Sequence, residues 1–273
     1  MQGPTITFPI LGDWFVCNMP RFFTVFGFAI HFYALFLALG LVAGAIYALA
    51  RAKRFGLTQD NVLDYLLFAV PSAIIFSRLY YVVFHLDVYL RNPIRIITGI
   101  REGGLTIYGV IFGAVLGVWL CSRIRKLPFR DFLDLGAHGL LIGQAIGRWG
   151  NFVNRELYGG ETTLPWRMGL TVGEHTKYVH PTFLYESIWN TIGVLLLHFC
   201  FPPERRRYSG QIFIAYLIWY GLGRMWIEPI RANEWNMMLG GFVSLNFLIA
   251  LACVVGGVVA NVILTKRATG KGA

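Results

Sequence analysis

The strongest constraint on this chain is the length of its apolar segments. A helix that crosses a bilayer needs about 20 mostly apolar residues. The sequence contains seven such segments, separated by polar or positively charged stretches. We therefore predict an all-α integral membrane protein with about seven transmembrane helices. The predicted segments are 22–50, 62–86, 104–121, 131–147, 182–201, 210–228 and 242–264.

Composition supports the same class of protein. The chain is 56% hydrophobic and 14% charged, and its mean hydropathy of +0.58 is typical of integral membrane proteins. We interpret the net charge of +10 as positive charge that anchors and orients the chain in the membrane. No nucleic-acid partner is therefore expected. The four cysteines form no CxxC pair, and neither a metal site nor a disulfide is expected from them.

Clusters of Lys and Arg predict the orientation of the chain. They follow the ends of alternate predicted helices, and such clusters mark the cytoplasmic side. The N-terminus is therefore predicted outside and the C-terminus inside. Residues 1–273 are expected to form a single polytopic membrane domain, with a small extracytoplasmic head at 148–180. The clusters are Arg51, Lys53 and Arg54; Arg123, Arg125, Lys126 and Arg130; Arg205, Arg206 and Arg207; and Lys266, Arg267 and Lys271.

Two glycine stripes indicate where helices pack closely. Small residues repeated every four positions let helix backbones approach each other in lipid. We predict from these stripes that the third and fourth helices are neighbours, and chance spacing among 31 glycines is the alternative. The stripes are Gly109, Gly113 and Gly117, and Gly139, Gly143 and Gly147.

The stretch GRWGNFVNRELYGG at 147–160 is the clearest indication of a functional site. Lipid makes polar groups at the edge of a membrane span costly, so they are rarely there without a function. Arg148, Asn151, Asn154 and Glu156 lie among glycines, where the backbone can approach a ligand closely. We interpret the stretch as the polar floor of a pocket for a lipid head group. The alternative is a solvated loop, which the interspersed aromatic and aliphatic residues disfavour.

The sixth predicted helix carries a second polar group. Tyr220, Arg224 and Glu228 recur at four-residue spacing and share one helix face, and Arg231 follows. We expect Glu228 to hold the Arg224 guanidinium, whose planar fork matches phosphate oxygens. An intrahelical ion pair without a ligand is the alternative.

Arg78 lies midway through the second predicted span, where a lone arginine needs a partner or a cavity. Pairing with Asp64 or Glu102 and contact with a phosphate are both left open.

Several common chemistries are excluded by missing motifs. The sequence has no GxSG or GxGD motif of intramembrane proteases and no HExxH zinc motif. A seven-helix retinal protein needs a lysine within a helix, and the five lysines lie outside the predicted spans. They are Lys53, Lys126, Lys177, Lys266 and Lys271.

Five motifs in the same order resemble bacterial prolipoprotein diacylglyceryl transferases. The resemblance covers nearly all of the predicted spans, and GRxGNFxNxE is its most specific part. The motifs are AIHFYALF at 29–36, REGGLTIYG at 101–109, GRWGNFVNRELYG at 147–159, HPTFLYE at 180–186 and YGLGRMWIEPIR at 220–231.

The resemblance implies an activity and a location. Such enzymes transfer the diacylglyceryl group from phosphatidylglycerol to the thiol of the lipobox cysteine of a prolipoprotein, and glycerol phosphate leaves. This is the first step of lipoprotein maturation, at the outer leaflet of the bacterial cytoplasmic membrane. The implied partners are phosphatidylglycerol, prolipoprotein signal peptides and the bilayer, and no metal or organic cofactor is implied.

The resemblance also implies site residues. Catalytic roles are expected for Arg148, Arg224, Tyr33, Glu156, Asn151 and Glu228. Contact with phosphatidylglycerol is expected for Arg148, Arg224, Asn151, Gly159, Arg78, Tyr220 and Tyr108.

Tyr108 is the one important departure from the family pattern. Some members have a histidine at this position, and it has been considered a catalytic base. A tyrosine, with a pKa near 10, is a poor base at neutral pH. The base is therefore expected at His31, His180 or Glu156, or the thiol loses its proton without one. Tyr108 either hydrogen-bonds substrate or fills the space of the histidine.

Residues and resemblance together predict a mechanism. Arg148 and Arg224 are expected to hold the phosphate and stabilise the charge that develops on the leaving glycerol phosphate. Their charges would also favour the reactive thiolate. A transporter or channel for an anionic solute is the alternative, although it does not explain why the arginines gather near the outer face instead of the midplane. A lipid-binding or scaffolding protein is the third possibility.

Overall fold

The computed structural model describes residues 5–12, 14–99, 103–231, 238–239 and 243–270, with backbone only at 238, 239 and 243. Most of these residues are helical, which confirms the predicted class in outline. The helices are α1 (Phe32–Arg51), α2 (Gln59–Val83), α3 (Leu86–Arg91), α4 (Arg95–Thr98), α5 (Ile107–Arg125), α6 (Phe129–Asn154), α7 (Thr182–Cys200), α8 (Gln211–Ile227) and α9 (Leu245–Thr269).

Each of the seven predicted segments contains a long helix, and the most apolar of these helices can cross a membrane. Five stretches in the described residues are long and apolar enough to do so. The helix α6 is more polar, and α8 has only 17 residues. The chain is thus a multi-pass membrane protein, while the number of seven crossings stays a prediction. The five stretches are Phe32–Phe55, Gln59–Val83, Ile107–Arg125, Thr182–Cys200 and Leu245–Thr269.

The predicted start of the first span, at residue 22, was wrong. Strands β3 (Phe22–Val25) and β4 (Phe28–His31) form an antiparallel hairpin, and α1 begins after it. Phe26 and Gly27 join the strands with positive φ angles of 49° and 82°, as a two-residue type I′ turn requires. The strands are as apolar as the helix that follows, so hydropathy alone could not separate them.

The chain forms two compact units, Leu49–Phe132 and Met1–Ala48 with Leu133–Ala273. In the first unit, the glycine stripe of α5 packs on α2. A methyl group added at Gly113 would lie 2.8 Å from the Cβ of Phe76, so only glycine allows this approach. The stripe predicted to contact the fourth helix therefore contacts the second.

In the other unit, the glycine stripe of α6 packs on α1. A methyl group added at Gly44 would lie 2.9 Å from the carbonyl oxygen of Gly139, and one at Gly40 would lie 3.0 Å from that of Gly143. The described glycine contacts thus pair α5 with α2 and α6 with α1. That the third and fourth helices are also neighbours stays a prediction.

The helix α6 also fixes the start of α8. Asp134 is fully buried, and its carboxylate accepts the backbone N–H groups of Gly210 and Phe213, each at 2.8 Å. The first amides of a helix have no partner within the helix, so Asp134 caps α8 from a neighbouring element. Arg206 pairs with the same carboxylate at 3.0 Å.

The predicted head contains a sheet, which the all-α prediction did not include. Strands β5 (Met168–Val172) and β6 (His175–Val179) form a hairpin, and β1 (Thr5–Thr7) and β2 (Val16–Cys17) extend it. The antiparallel order is β2-β1-β5-β6. Its core contains Ile6, Met168, Leu170, Val179 and Phe183. A short strand pair, β7 (Met238–Leu239) and β8 (Val243–Ser244), precedes α9.

Candidate functional site

Polar side chains from three helices meet at one end of the helical bundle in the unit that contains α6, α7 and α8. The last turns of α6 provide Arg148 and Asn151, and the second turn of α7 provides Glu186. The end of α8 and the helical turn after it provide Arg224 and Arg231. These residues are far apart in sequence, so the fold of this unit alone creates the cluster.

Glu186 lies at the centre of three arginines. Its Oε2 atom lies 2.8 Å from the Nη2 of Arg148. Its Oε1 atom lies 3.2 Å from the Nη1 of Arg224 and 2.8 Å from the Nη2 of Arg231. A buried carboxylate with three charged donors is well compensated, and each guanidinium gains a counter-ion.

Glu228 supports the cluster from the end of α8. Its Oε2 atom accepts a hydrogen bond from the Nη2 of Arg224, which confirms the predicted pair. Its Oε1 atom accepts hydrogen bonds from Ser244 at 2.7 Å and from Asn246 at 2.9 Å, both at the start of α9. Glu228 therefore ties Arg224 to a fourth helix and fixes the direction of its guanidinium.

The signature stretch forms a chain of hydrogen bonds that begins at Arg148. The Nη1 of Arg148 donates to the Oδ1 of Asn151 at 3.2 Å, and the Nδ2 of Asn151 donates to Glu156 at 2.9 Å. Asn154 donates to the same oxygen of Glu156 at 3.3 Å. The four polar residues singled out in the sequence are thus joined, and Asn151 links Arg148 to Glu156.

Arg155, within the same stretch, has a different role. It has a positive φ of 54°, and its side chain turns away to the backbone. Its guanidinium donates to the carbonyl oxygens of Val153 and Met19, each at 2.7 Å. Arg155 therefore fixes the N-terminal arm, whereas Arg148 joins the cluster.

Gly159 lies where three backbone segments approach one another. Its N–H donates to the carbonyl of His180 at 2.9 Å, and the N–H of Gly160 donates to that of Ile230 at 2.8 Å. A methyl group on Gly159 would lie 2.9 Å from the Ile230 carbonyl oxygen and 3.2 Å from Thr182. The described contacts thus give Gly159 a packing role, and its expected contact with phosphatidylglycerol stays a prediction.

Two tyrosines from the predicted set border this region. The ring of Tyr33, on α1, packs on Gly150, where an added methyl group would lie 2.8 Å from its Cδ2. Tyr220 lines a small cavity together with Gln144, Arg148 and Arg224. The cavity holds about 10 Å³, about the room that one water molecule needs.

Arg78 and Tyr108 belong to the unit formed by Leu49–Phe132. Arg78 donates to the carbonyl oxygens of Arg95 at 2.7 Å, Ile96 at 2.9 Å and Gly103 at 2.9 Å. Within the described residues, the Arg78 guanidinium therefore binds backbone carbonyl groups and does not pair with Asp64.

Asp64 lies 3.5 Å from Arg125 instead, so one predicted partner of Arg78 was wrong. The other, Glu102, lies outside the described residues. Tyr108 is 37% exposed, and its ring centroid lies 6.1 Å from that of Tyr80. Contact of Arg78 or Tyr108 with a phosphate stays a prediction.

Comparison with known proteins decides the family. A sequence model of the prolipoprotein diacylglyceryl transferase family matches residues 20–263. The chain belongs to this family. It is therefore a transferase.

Similar proteins cover most of the chain. Three of them carry the name phosphatidylglycerol–prolipoprotein diacylglyceryl transferase. The protein of Halalkalibacterium halodurans is 41% identical over 237 residues, which span 84% of this chain and 80% of that relative. That of Clostridioides difficile is 39% identical over 245 residues, 90% of this chain and 95% of the relative. That of Bacillus cytotoxicus is 38% identical over 254 residues, 89% of this chain and 90% of the relative.

The three residues predicted as possible bases have different surroundings in this transferase. His31 lies on the exposed strand β4, with its ring 5.5 Å from that of Phe22. The Nδ1 of His180 lies 3.2 Å from the hydroxyl of Tyr185. Burial lowers the pKa of His180, which favours the neutral ring. Glu156 is the one that is joined to Arg148 through Asn151.

Sequence reasoning underestimated two members of the cluster. Glu186 stood out in the sequence only as the last residue of the motif HPTFLYE, and Arg231 only as a residue that follows Glu228. The described contacts place Arg231 on Glu186, at 2.8 Å. A glutamate within the apolar stretch Thr182–Cys200 was itself a signal, because a carboxylate there needs charged partners.

Proposed function

We infer that the chain transfers the diacylglyceryl group of phosphatidylglycerol to a prolipoprotein, as the names of its relatives state for them. The acceptor would be the thiol of the lipobox cysteine, and the reaction would begin lipoprotein maturation. The bacterial cytoplasmic membrane is the location that fits both the bacterial relatives and the apolar helices.

The observation that carries a site assignment is the group of three arginines around one carboxylate. Guanidiniums match phosphate oxygens bidentately and stay charged when buried. We propose that Arg148 and Arg224 bind the phosphate of phosphatidylglycerol, with Arg231 adding positive charge. Asn151 and Glu228 would orient these two arginines, because each accepts a hydrogen bond from one of them.

The cluster also suggests the orientation of the chain in the membrane. It lies at the C-terminal ends of α6 and α8 and at the N-terminal end of α7. The positive clusters of the sequence follow the C-terminal ends of α1, α5, α7 and α9. By the positive-inside rule those ends are cytoplasmic. The cluster and the head sheet would then face the outer side, where phosphatidylglycerol head groups lie.

The reaction breaks one carbon–oxygen bond and forms one carbon–sulfur bond. The cysteine thiolate attacks the glyceryl carbon that carries the phosphate, and glycerol phosphate leaves with the electron pair. Arg148 and Arg224 would stabilise the charge that develops on the leaving oxygen. Positive charge near the thiol also lowers its pKa and favours the thiolate.

Glu156 is the group that we propose to accept the thiol proton. It is joined to Arg148 through Asn151, whereas His31 lies on the exposed hairpin and His180 bonds Tyr185. A base must lie within hydrogen-bond reach of the proton that it removes, so its link to the arginine cluster favours Glu156. Replacing Glu156 by Gln should then lower kcat most at low pH, where the thiolate is scarce.

Mass spectrometry of a lipobox peptide tests the function. The purified protein is incubated with the peptide and phosphatidylglycerol, beside Arg148→Ala and the control Arg167→Ala. Arg167 is also an arginine of this unit, but it donates to the backbone of Thr163 and Leu164. We expect a diacylglyceryl mass gain on cysteine in the wild type and the control and its loss in Arg148→Ala. No gain in the folded wild type would favour a transporter of anionic solutes, the second candidate.

A further inference from the structure

The carboxylate of Glu186 is bound in the manner expected of a bound phosphate. Both of its oxygens accept charged donors, from Arg148 on one side and from Arg224 and Arg231 on the other. Arginine forks recognise carboxylate and phosphate oxygens with the same geometry. The group that the arginines now bind is therefore an anion supplied by the protein.

The two glutamates of the cluster differ in how they are held. Glu228 also accepts hydrogen bonds from Ser244 and Asn246 on α9. The described bonds of the Glu186 carboxylate all come from arginines. Glu228 is thus anchored independently of the arginines, and Glu186 is the carboxylate that a second anion can replace.

The arginines also differ in how easily a ligand reaches them. The side chain of Arg148 is 22% exposed, against 9% for Arg224 and 5% for Arg231. Arg148 also borders the cavity of about 10 Å³, which is too small for a glycerol phosphate group. An incoming head group would meet Arg148 first, and the cavity would have to widen.

We propose that Glu186 is an internal substitute for the substrate phosphate. It holds the three arginines together while no lipid is bound, and it yields its contact with Arg148 to the phosphate when phosphatidylglycerol enters. This inference rests on the proposed function, in which the arginine cluster is the head-group site. After the reaction, Glu186 would recover Arg148 and help to expel glycerol phosphate.

The proposal predicts that removing the charge of Glu186 has opposite effects on stability and on lipid affinity. In Glu186→Gln, buried guanidiniums lose their shared counter-ion, which destabilises the free protein. A lipid phosphate would then meet no competitor and would restore the missing charge. We therefore expect a lower midpoint of thermal unfolding without lipid and a larger increase on adding phosphatidylglycerol than the wild type shows.

Thermal unfolding in neutral detergent tests this, with phosphatidylglycerol compared with diacylglycerol of the same acyl chains, which lacks the phosphate. The matched control is Asp134→Asn, which also removes a buried carboxylate that pairs with an arginine. Asp134 lies 14 residues before Arg148 on α6, about 21 Å along the helix axis. The control should lose stability, but its increase with phosphatidylglycerol should equal that of the wild type.

Steady-state kinetics give a second readout. If Glu186 competes with the phosphate, Glu186→Gln should lower both the KM for phosphatidylglycerol and kcat, because product leaves more slowly. A merely structural residue would instead raise KM or lower kcat with KM unchanged. If Glu186→Gln does not fold, Glu186→Asp keeps the charge on a shorter side chain, and it should also show a larger lipid-induced increase than the wild type.

The outcomes separate this inference from the function on which it rests. An increase with phosphatidylglycerol in the wild type that is no larger in the Glu186 variants overturns the inference and leaves the head-group site standing. No difference between phosphatidylglycerol and diacylglycerol in the wild type overturns both the head-group site and the inference.

Discussion

Replacing Arg148 by Lys keeps the charge of the arginine cluster but removes its fork. Arg148 uses two nitrogens at once, Nη2 on Glu186 at 2.8 Å and Nη1 on Asn151 at 3.2 Å. A lysine ammonium is a single point of contact and cannot reproduce both directions. Arg148→Lys should therefore lose at least one charge-assisted hydrogen bond to its neighbours or to the phosphate.

The size of the effect follows from that lost bond. A hydrogen bond to a charged group contributes about 1.5–3 kcal/mol, and about 1.36 kcal/mol corresponds to a tenfold change in rate. We expect kcat/KM for phosphatidylglycerol to fall about 10- to 150-fold in Arg148→Lys. The assay is the initial rate of diacylglyceryl transfer to a lipobox peptide, measured by mass spectrometry over a range of lipid concentrations.

Arg155→Lys is the control, because it makes the same change seven positions along the chain. Arg155 also forms two hydrogen bonds, but to the carbonyl oxygens of Val153 and Met19. The control should lower thermal stability, because a lost charge-assisted hydrogen bond costs about 1.5–3 kcal/mol. We expect kcat/KM of the folded enzyme to stay within about threefold of the wild type, because the lost bond holds backbone and not substrate. If Arg148→Lys also stays within that range, the bidentate role of Arg148 is refuted.

Two further predictions concern residues outside the arginine cluster. Arg78→Gln removes charged donors from the carbonyls of Arg95, Ile96 and Gly103, so α4 should detach from α2. Trypsin should then cleave near Arg95 faster than in the wild type, and an unchanged cleavage rate would contradict this. Burial lowers the pKa of His180 below its usual 6.5, so the unfolded chain binds the proton more readily and stability should fall as pH drops below about 6.5. The difference in thermal midpoint between pH 7.5 and 5.5 should be smaller in His180→Asn than in the wild type. An equal difference in both proteins would argue against a contribution of His180 to this pH dependence.

The polar site was partly predictable because lipid makes polar residues conspicuous. Arg148 and the Arg224–Glu228 pair stand out in apolar surroundings, and helical spacing is enough to bring the pair together. The central position of Glu186 could not be read in this way. Its partners Arg224 and Arg231 lie 38 and 45 residues away in the sequence, and spacing reports only on neighbours along one helix.

The fold was predictable at the level of helices and less so at the level of pairing. The glycine stripes correctly indicate faces of close packing, but any smooth helix face can receive such a stripe, so the stripes alone do not identify their partners, α2 and α1. The hairpin at 22–31 was predicted as helix because its strands are as apolar as the helix that follows, although their side chains are exposed. The strands β1 and β5 pair over a long sequence distance that no local pattern reports.

The sheet that joins the N-terminal arm to the head affects the order in which the chain can be completed. Thr5 in β1 pairs with Thr171 in β5, a residue made much later than its partner. At about 5–20 residues per second, translation adds the intervening chain in roughly 8–33 s. For that time β1 has only β2 as a partner, and its other edge is open to other chains and to proteases. Biogenesis of this enzyme therefore includes a vulnerable interval that ends only when β5 emerges. The long helices α1, α2, α5 and α6 have been made by then, whereas α7, α8 and α9 must still follow before the arginine cluster and its support by α9 are complete.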